Sequence, residues 1–212
     1  MNMKKQLLFL LVALLSSVTT LWAQTETAYS PVLDVNFRTG AGNTAWNSGF
    51  PNDAAVEGNN DFELTSTAGF FSLQKYTVPN LQNATKLVLT LTVGSKSGVD
   101  AVRLWSYSDN AWTAETGVDD IYPKVQEILG VDLRSTEGTP NEPLVKGAKV
   151  ADSSPAKATW TIQGTALTTI KENAASDGTF TIMLTNDNLT SSSNKRSYLS
   201  NNSVNDEANR PC

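Results

Sequence analysis

Read as hydrophobic and polar positions, most of the chain alternates. "LVLTLTV" (Leu87 to Val93) places Leu87, Leu89, Leu91 and Val93 on one side and Val88, Thr90 and Thr92 on the other. A period of two with β-branched residues on one face predicts a half-buried strand. "TFTIMLT" (Thr179 to Thr185) does the same through Phe180, Ile182 and Leu184, and "ATWTI" (Ala158 to Ile162) through Trp160 and Ile162. Val32 to Phe37, Phe70 to Tyr76, Ala101 to Tyr107 and Arg196 to Ser200 complete the set. Turn-forming residues separate them at Gly94 to Gly98, Ser108-Asp109-Asn110, Ser176-Asp177-Gly178 and Ser191 to Asn194. A helical period occurs in "DDIYPKVQEILG", with Asp119 or Asp120 as N-cap and Gly130 as stop, and more briefly in Thr165 to Ala175. Arg134 to Pro155 reads as a long loop. The expected fold is all-β, an antiparallel β-sandwich of jelly-roll type with one or two short helices.

The first residues belong to a different class. Lys4 and Lys5 precede the apolar run Leu7 to Leu15, and a polar stretch leads to Ala23-Gln24. This is the layout of a signal peptide over residues 1–23, cleaved after Ala23, which makes the product secreted, extracellular or periplasmic. The apolar run is too short to span a bilayer. No comparable run follows, so no membrane insertion of the mature chain is expected. Losing Lys4 and Lys5 takes the formal charge from −5 to −7, which argues against nucleic acid as a partner. With Cys212 the single cysteine, no disulfide can staple the domain. The absence of histidine removes Ser-His-Asp and Cys-His chemistry and the common zinc sites.

Four segments carry a resemblance. "GFFSLQKYTVPNLQNATKLVLTLTVGS" and "AVRLWSYSDNAWTAETG", with Trp112, Thr113 and Glu115, are followed by "ATWTIQGTALTTIKENAASDGTFTIMLTN" and "RSYLSNNSVNDEANRPC". Together they resemble the DNRLRE-type domains of secreted bacterial proteins, a jelly-roll family related to carbohydrate-binding modules. The chain departs from that pattern in the extra Ala114, in Thr161 where an Asp is usual, and in a longer Arg134 to Pro155 loop. The resemblance implies structural roles for Trp112, as a plug at the end of the sandwich, and for Glu115, bonding backbone. It also implies that "ANRPC" introduces one more strand, since proline suits a strand's first position. Residues 24–212 are thus expected to form one domain lacking its last strand, in a truncated fragment whose frame continues into that strand and possible further domains. The strand left open would be the first, around Leu33 to Phe37.

Candidate ligand contacts follow from aromatics near polar groups. Arg103, Trp105 and Tyr107 share one side of a strand, spaced about 6.5–7 Å apart, and could stack sugar rings; the competing use of such a row is to fill a core. Trp46, in the loop "NTAWNSGFP", is the best exposed aromatic. Asp53, Asn59 and Asp61 are weak metal candidates for a structural calcium, with a solvated turn as the alternative. Otherwise no cofactor is expected. Glycoside hydrolysis would need paired carboxylates, but Asp119 and Asp120 are better read as helix-start residues, so the chain is not expected to be an enzyme. The expected function is non-catalytic binding of polysaccharide or cell-surface glycan. The alternative is a structural spacer or adhesin domain with no sugar binding.

Overall fold

The computed structural model describes residues 26–38, 50–51, 61–65, 70–97, 102–133, 138–147, 156–186 and 195–199. The strands are β1 (Leu33–Arg38), β2 (Phe50–Pro51), β3 (Asp61–Thr65), β4 (Phe70–Thr77), β5 (Leu87–Ser97), β6 (Val102–Tyr107), β7 (Val145–Lys146), β8 (Ala156–Ile162), β9 (Thr179–Asn186) and β10 (Lys195–Leu199). They build two antiparallel sheets, ordered β2-β1-β4-β9-β6-β7 and β3-β10-β5-β8. Two short α-helices, α1 (Val118–Leu129) and α2 (Thr165–Asn173), and a single 3-10 turn at Leu81–Asn83 complete the described elements. The all-β expectation holds at this level, and no helix among the described residues is long and apolar enough to cross a membrane.

Alternation decides the layers. On one side of the first sheet, Tyr76, Val102, Leu104, Phe180, Ile182 and Leu184 meet Leu89, Leu91, Trp160 and Ile162 of the second sheet, with Leu167 and Ile170 of α2. On the other side, Val35, Phe37, Phe71, Leu73, Trp105, Tyr107 and Met183 meet Val118, Ile121, Tyr122, Val125 and Leu129 of α1. The central strand β9 is therefore buried at every residue from Phe180 to Asn186. Each large side chain buried in this way contributes about 1.5–3 kcal/mol. The second sheet has one wet face, with Val88, Lys157, Thr159 and Thr161 exposed.

Local chemistry sets the helix limits. α1 starts after Gly117, which supplies no side-chain cap, so neither acid is the N-cap; Asp119 and Asp120 lie in the first turn. There, negative charge is favoured by the helix dipole. Gly130 stops the helix in the left-handed region at φ 71, its N–H donating to the Gln126 carbonyl.

One expectation about strands needs correction, and three short strands add to the set. Gly94 does not end β5, because β10 pairs alongside it and carries the strand on to Ser97. The first strand, β1, pairs with β4 over its whole length and with β2 at Val35 and Asn36. The pairs Val35↔Pro51 and Arg103↔Lys146 add the short strands β2 and β7, which alternation over two residues cannot signal. β3 likewise forms by pairing with β10.

Gly178 ties the turn before β9 to the end of β4. It sits at φ 84, accepts a hydrogen bond from the Val78 N–H, and a Cβ built on it would lie 2.1 Å from the Val78 carbonyl oxygen. Gly178→Ala is expected to lower unfolding stability by about 2 kcal/mol or more, from left-handed strain and the backbone clash together. Urea denaturation would measure this, and an unchanged midpoint would contradict the packing described.

Candidate functional site

The Arg103, Trp105 and Tyr107 row lies on the α1 side of β6. Trp105 and Tyr107 are 2% and 1% exposed, so the proposed sugar platform is corrected to a core position. The reason is α1, which covers that face. The indole N–H of Trp105 donates to Thr185 Oγ1 at 3.0 Å, which satisfies its one polar group inside the core. Arg103, opposite Thr185 in the ladder, is half-buried. Trp46, Asp53 and Asn59 lie outside the described residues. Asp61 pairs through its backbone with Leu199 at the start of β3. Among the described residues, no group of three or more His, Cys, Asp or Glu side chains could hold a metal ion.

Trp112 closes the same core at its end. It is 2% exposed, stands edge-on to Phe37 with ring centroids 6.3 Å apart, and donates its indole N–H to Thr181 Oγ1 at 3.0 Å. The Thr181 hydroxyl in turn donates to Asn110 Oδ1 at 2.9 Å, and the Asn110 side-chain amide donates to the Asn173 carbonyl at 2.9 Å. The Lys75 ammonium lies 4.8 Å from the centre of the Trp112 ring and donates to the Trp112 carbonyl. Glu115 is exposed and accepts the Thr113 hydroxyl at 2.7 Å, a contact within its own turn.

A cleft of about 700 Å³ opens at the other side of the first sheet, within the usual size range of ligand sites. Its floor includes Tyr76 and Phe180, stacked at 5.7 Å, with Ile162 and Ile182. The lining also takes in the N-terminal segment from Glu26 to Tyr29, Asn80, Asn83, Thr85 and Lys86, and Leu87 to Thr90 of β5. Tyr29 is half-buried and packs on the sandwich core. Glu26 and Lys86, both in the lining, pair at 3.8 Å, an exposed and therefore weak contact. Glu26 is the single carboxylate in the described lining, whereas Asp119 and Asp120 belong to α1, across the first sheet. The cleft can supply apolar contact, amides, hydroxyls and one cation. Its wall joins segments far apart in sequence, so no local motif signals it.

No family model matches this chain, and no curated protein matches it either.

The buried phenol of Tyr107 makes the core sensitive to alkali. Burial, aided by the Asp109 carboxylate, pushes it well above its ordinary 10.0. The folded chain thus keeps the phenol neutral, and this stabilisation is complete below pH 10.0 and declines above it as the unfolded chain ionises first. Lys75 is pushed the other way, below its ordinary 10.5, by desolvation, with Asp109 opposing. Its own contribution therefore rises with pH toward 10.5. Tyr107→Phe removes the first effect and leaves the second. Between about pH 9 and about pH 11.5, the wild-type chain is expected to lose stability more steeply than Tyr107→Phe. Parallel denaturation curves across that range would mean that the phenol ionises as readily folded as unfolded.

Proposed function

We propose that this chain is a non-catalytic module of a secreted protein, serving as a structural spacer or adhesive unit and not as an aromatic platform for sugars. The observation that carries this reading is the burial of Trp105 and Tyr107 beneath α1. Those rings spend their area on joining helix to sheet, where no sugar reaches them. The jelly-roll topology and the kinship with DNRLRE-type domains belong to the same proposal. In their favour, Trp112 and Trp160, from two of the segments that carry the resemblance, are both core residues of the paired antiparallel sheets. Export by the residue 1–23 leader is also part of this reading.

A glycan-binding reading has one observation of its own, the cleft beside Tyr29. A half-buried tyrosine lining the same cleft as Asn80, Asn83 and Lys86 combines an aromatic ring with hydrogen-bonding groups, as a sugar requires. Electrophoresis through gels containing soluble polysaccharides separates the two. The structural reading expects unretarded migration across a broad glycan panel. Retardation by one glycan, lost in Tyr29→Ala or Trp46→Ala while the fold persists, would replace it with the carbohydrate-binding reading. Trp105→Ala is expected to cost about 3–5 kcal/mol of stability, so its effect would appear in the unfolding transition.

A further inference from the structure

The described chain opens on a segment anchored at its far end. The Val32 N–H donates to the Lys75 carbonyl at 2.8 Å, Pro31 is buried, and Tyr29 is half-buried against the sandwich core. Ahead of them Glu26, Thr27 and Ala28 are exposed and belong to no helix or strand. These three line the cleft together with Tyr29, and Glu26 meets Lys86 there at 3.8 Å. Ala23 and Gln24 come just before, outside the described residues. Cleavage after Ala23 makes Gln24 the first residue, which puts an α-amine and a side-chain carboxamide on the same residue.

We propose, resting on the export reading above, that Gln24 of the exported chain closes to a pyroglutamyl residue, a cap that shields the cleft-lining segment Glu26 to Tyr29 from trimming. The α-nitrogen attacks the side-chain carbonyl carbon, and the new C–N bond closes a five-membered lactam. The old C–N bond breaks, and its nitrogen takes the amine's proton and leaves as ammonia. Atoms and electrons balance with no other reactant. Having nucleophile and carbonyl on one residue makes the step intramolecular, which favours it strongly. The amine must be unprotonated, and an α-amine loses its proton at about pH 8, so a useful fraction is neutral under ordinary conditions. The cap changes two things for the residues that follow. A free α-ammonium would stand two residues before Glu26, within about 7 Å of chain, and would compete with Lys86 for that carboxylate. The lactam is uncharged, so the Glu26–Lys86 contact is left without that rival. The lactam also denies exopeptidases the free amine they grip. Exposed, irregular termini are where such trimming begins, and here it would strip Glu26, Thr27 and Ala28 from the cleft lining in turn.

The test expresses the full chain with its leader in an exporting host, purifies the exported product and holds it at neutral pH until its mass is constant. Mass spectrometry of the N-terminal peptide is expected to show a start at residue 24 and a mass one ammonia below the glutamine form. Stepwise chemical sequencing should find no free amine until pyroglutamyl peptidase removes the cap, after which Thr25 is read first. Gln24→Asn is the control, because its shorter side chain would have to close a four-membered ring. That variant is expected to keep a free amine and to lose its exposed N-terminal residues to a broad aminopeptidase about tenfold faster than wild type. A constant mass with the Gln24 amine still free would overturn the proposal and leave the export reading standing. Equal trimming of the two chains would overturn it too. A product that keeps residues 1–23, or begins elsewhere, would sink the proposal together with cleavage after Ala23.

Discussion

Strands β4, β6 and β9 carry large apolar side chains on both of their faces. A strand of this kind cannot lie at the surface of a one-core sandwich without exposing rings such as Phe71, Trp105 and Tyr107 to water. The first sheet must therefore be covered twice, and the rest of the arrangement meets that demand. The second sheet covers one face and α1 covers the other. α1 is amphipathic for that task, with Ile121, Tyr122, Val125 and Leu129 on its buried side and Asp119, Asp120 and Glu127 exposed. A sheet buried on both faces reads as a near-continuous apolar run, a pattern more usual in parallel sheets than in antiparallel ones.

Double burial raises a polar problem, because the strands also carry threonines and indoles. The solution is pairing within the core. Trp105 donates to Thr185, Trp112 to Thr181, and Trp160 to the Val102 carbonyl at 3.2 Å. A buried threonine that accepts an indole proton costs far less than either group left alone. Thr181 also joins the chain of bonds through Asn110 and Asn173 to Ser106, which binds the end of β6 to the end of α2. The aromatic row thereby gains a structural purpose that leaves it unavailable to ligand. The cleft lies by the end of β4 and the start of β5, where Tyr76, Phe180 and Ile182 of the sandwich interior enter its lining.

Much of the fold was legible in alternation alone. Seven strands, two helices and the core roles of Leu89, Leu91, Trp160, Phe180, Ile182 and Leu184 follow from period two or from the helical period, because local backbone geometry dictates which side chains share a face. The structural role of Trp112 was also legible, through resemblance. What alternation cannot say is whether the second face of a strand meets water or another layer. For Arg103, Trp105 and Tyr107 it correctly placed three side chains on one side, and only the packing of α1, from a segment eleven or more residues further along the chain, decided that this side is inside. The same limit applies to the cleft. Strand register is a property of pairs of segments, and how β10 sits along β5 depends on contacts between residues about a hundred positions apart. Sequence therefore determined which side chains travel together, while tertiary structure decided what they face, since burial is settled by the neighbour that arrives and not by the strand that receives it.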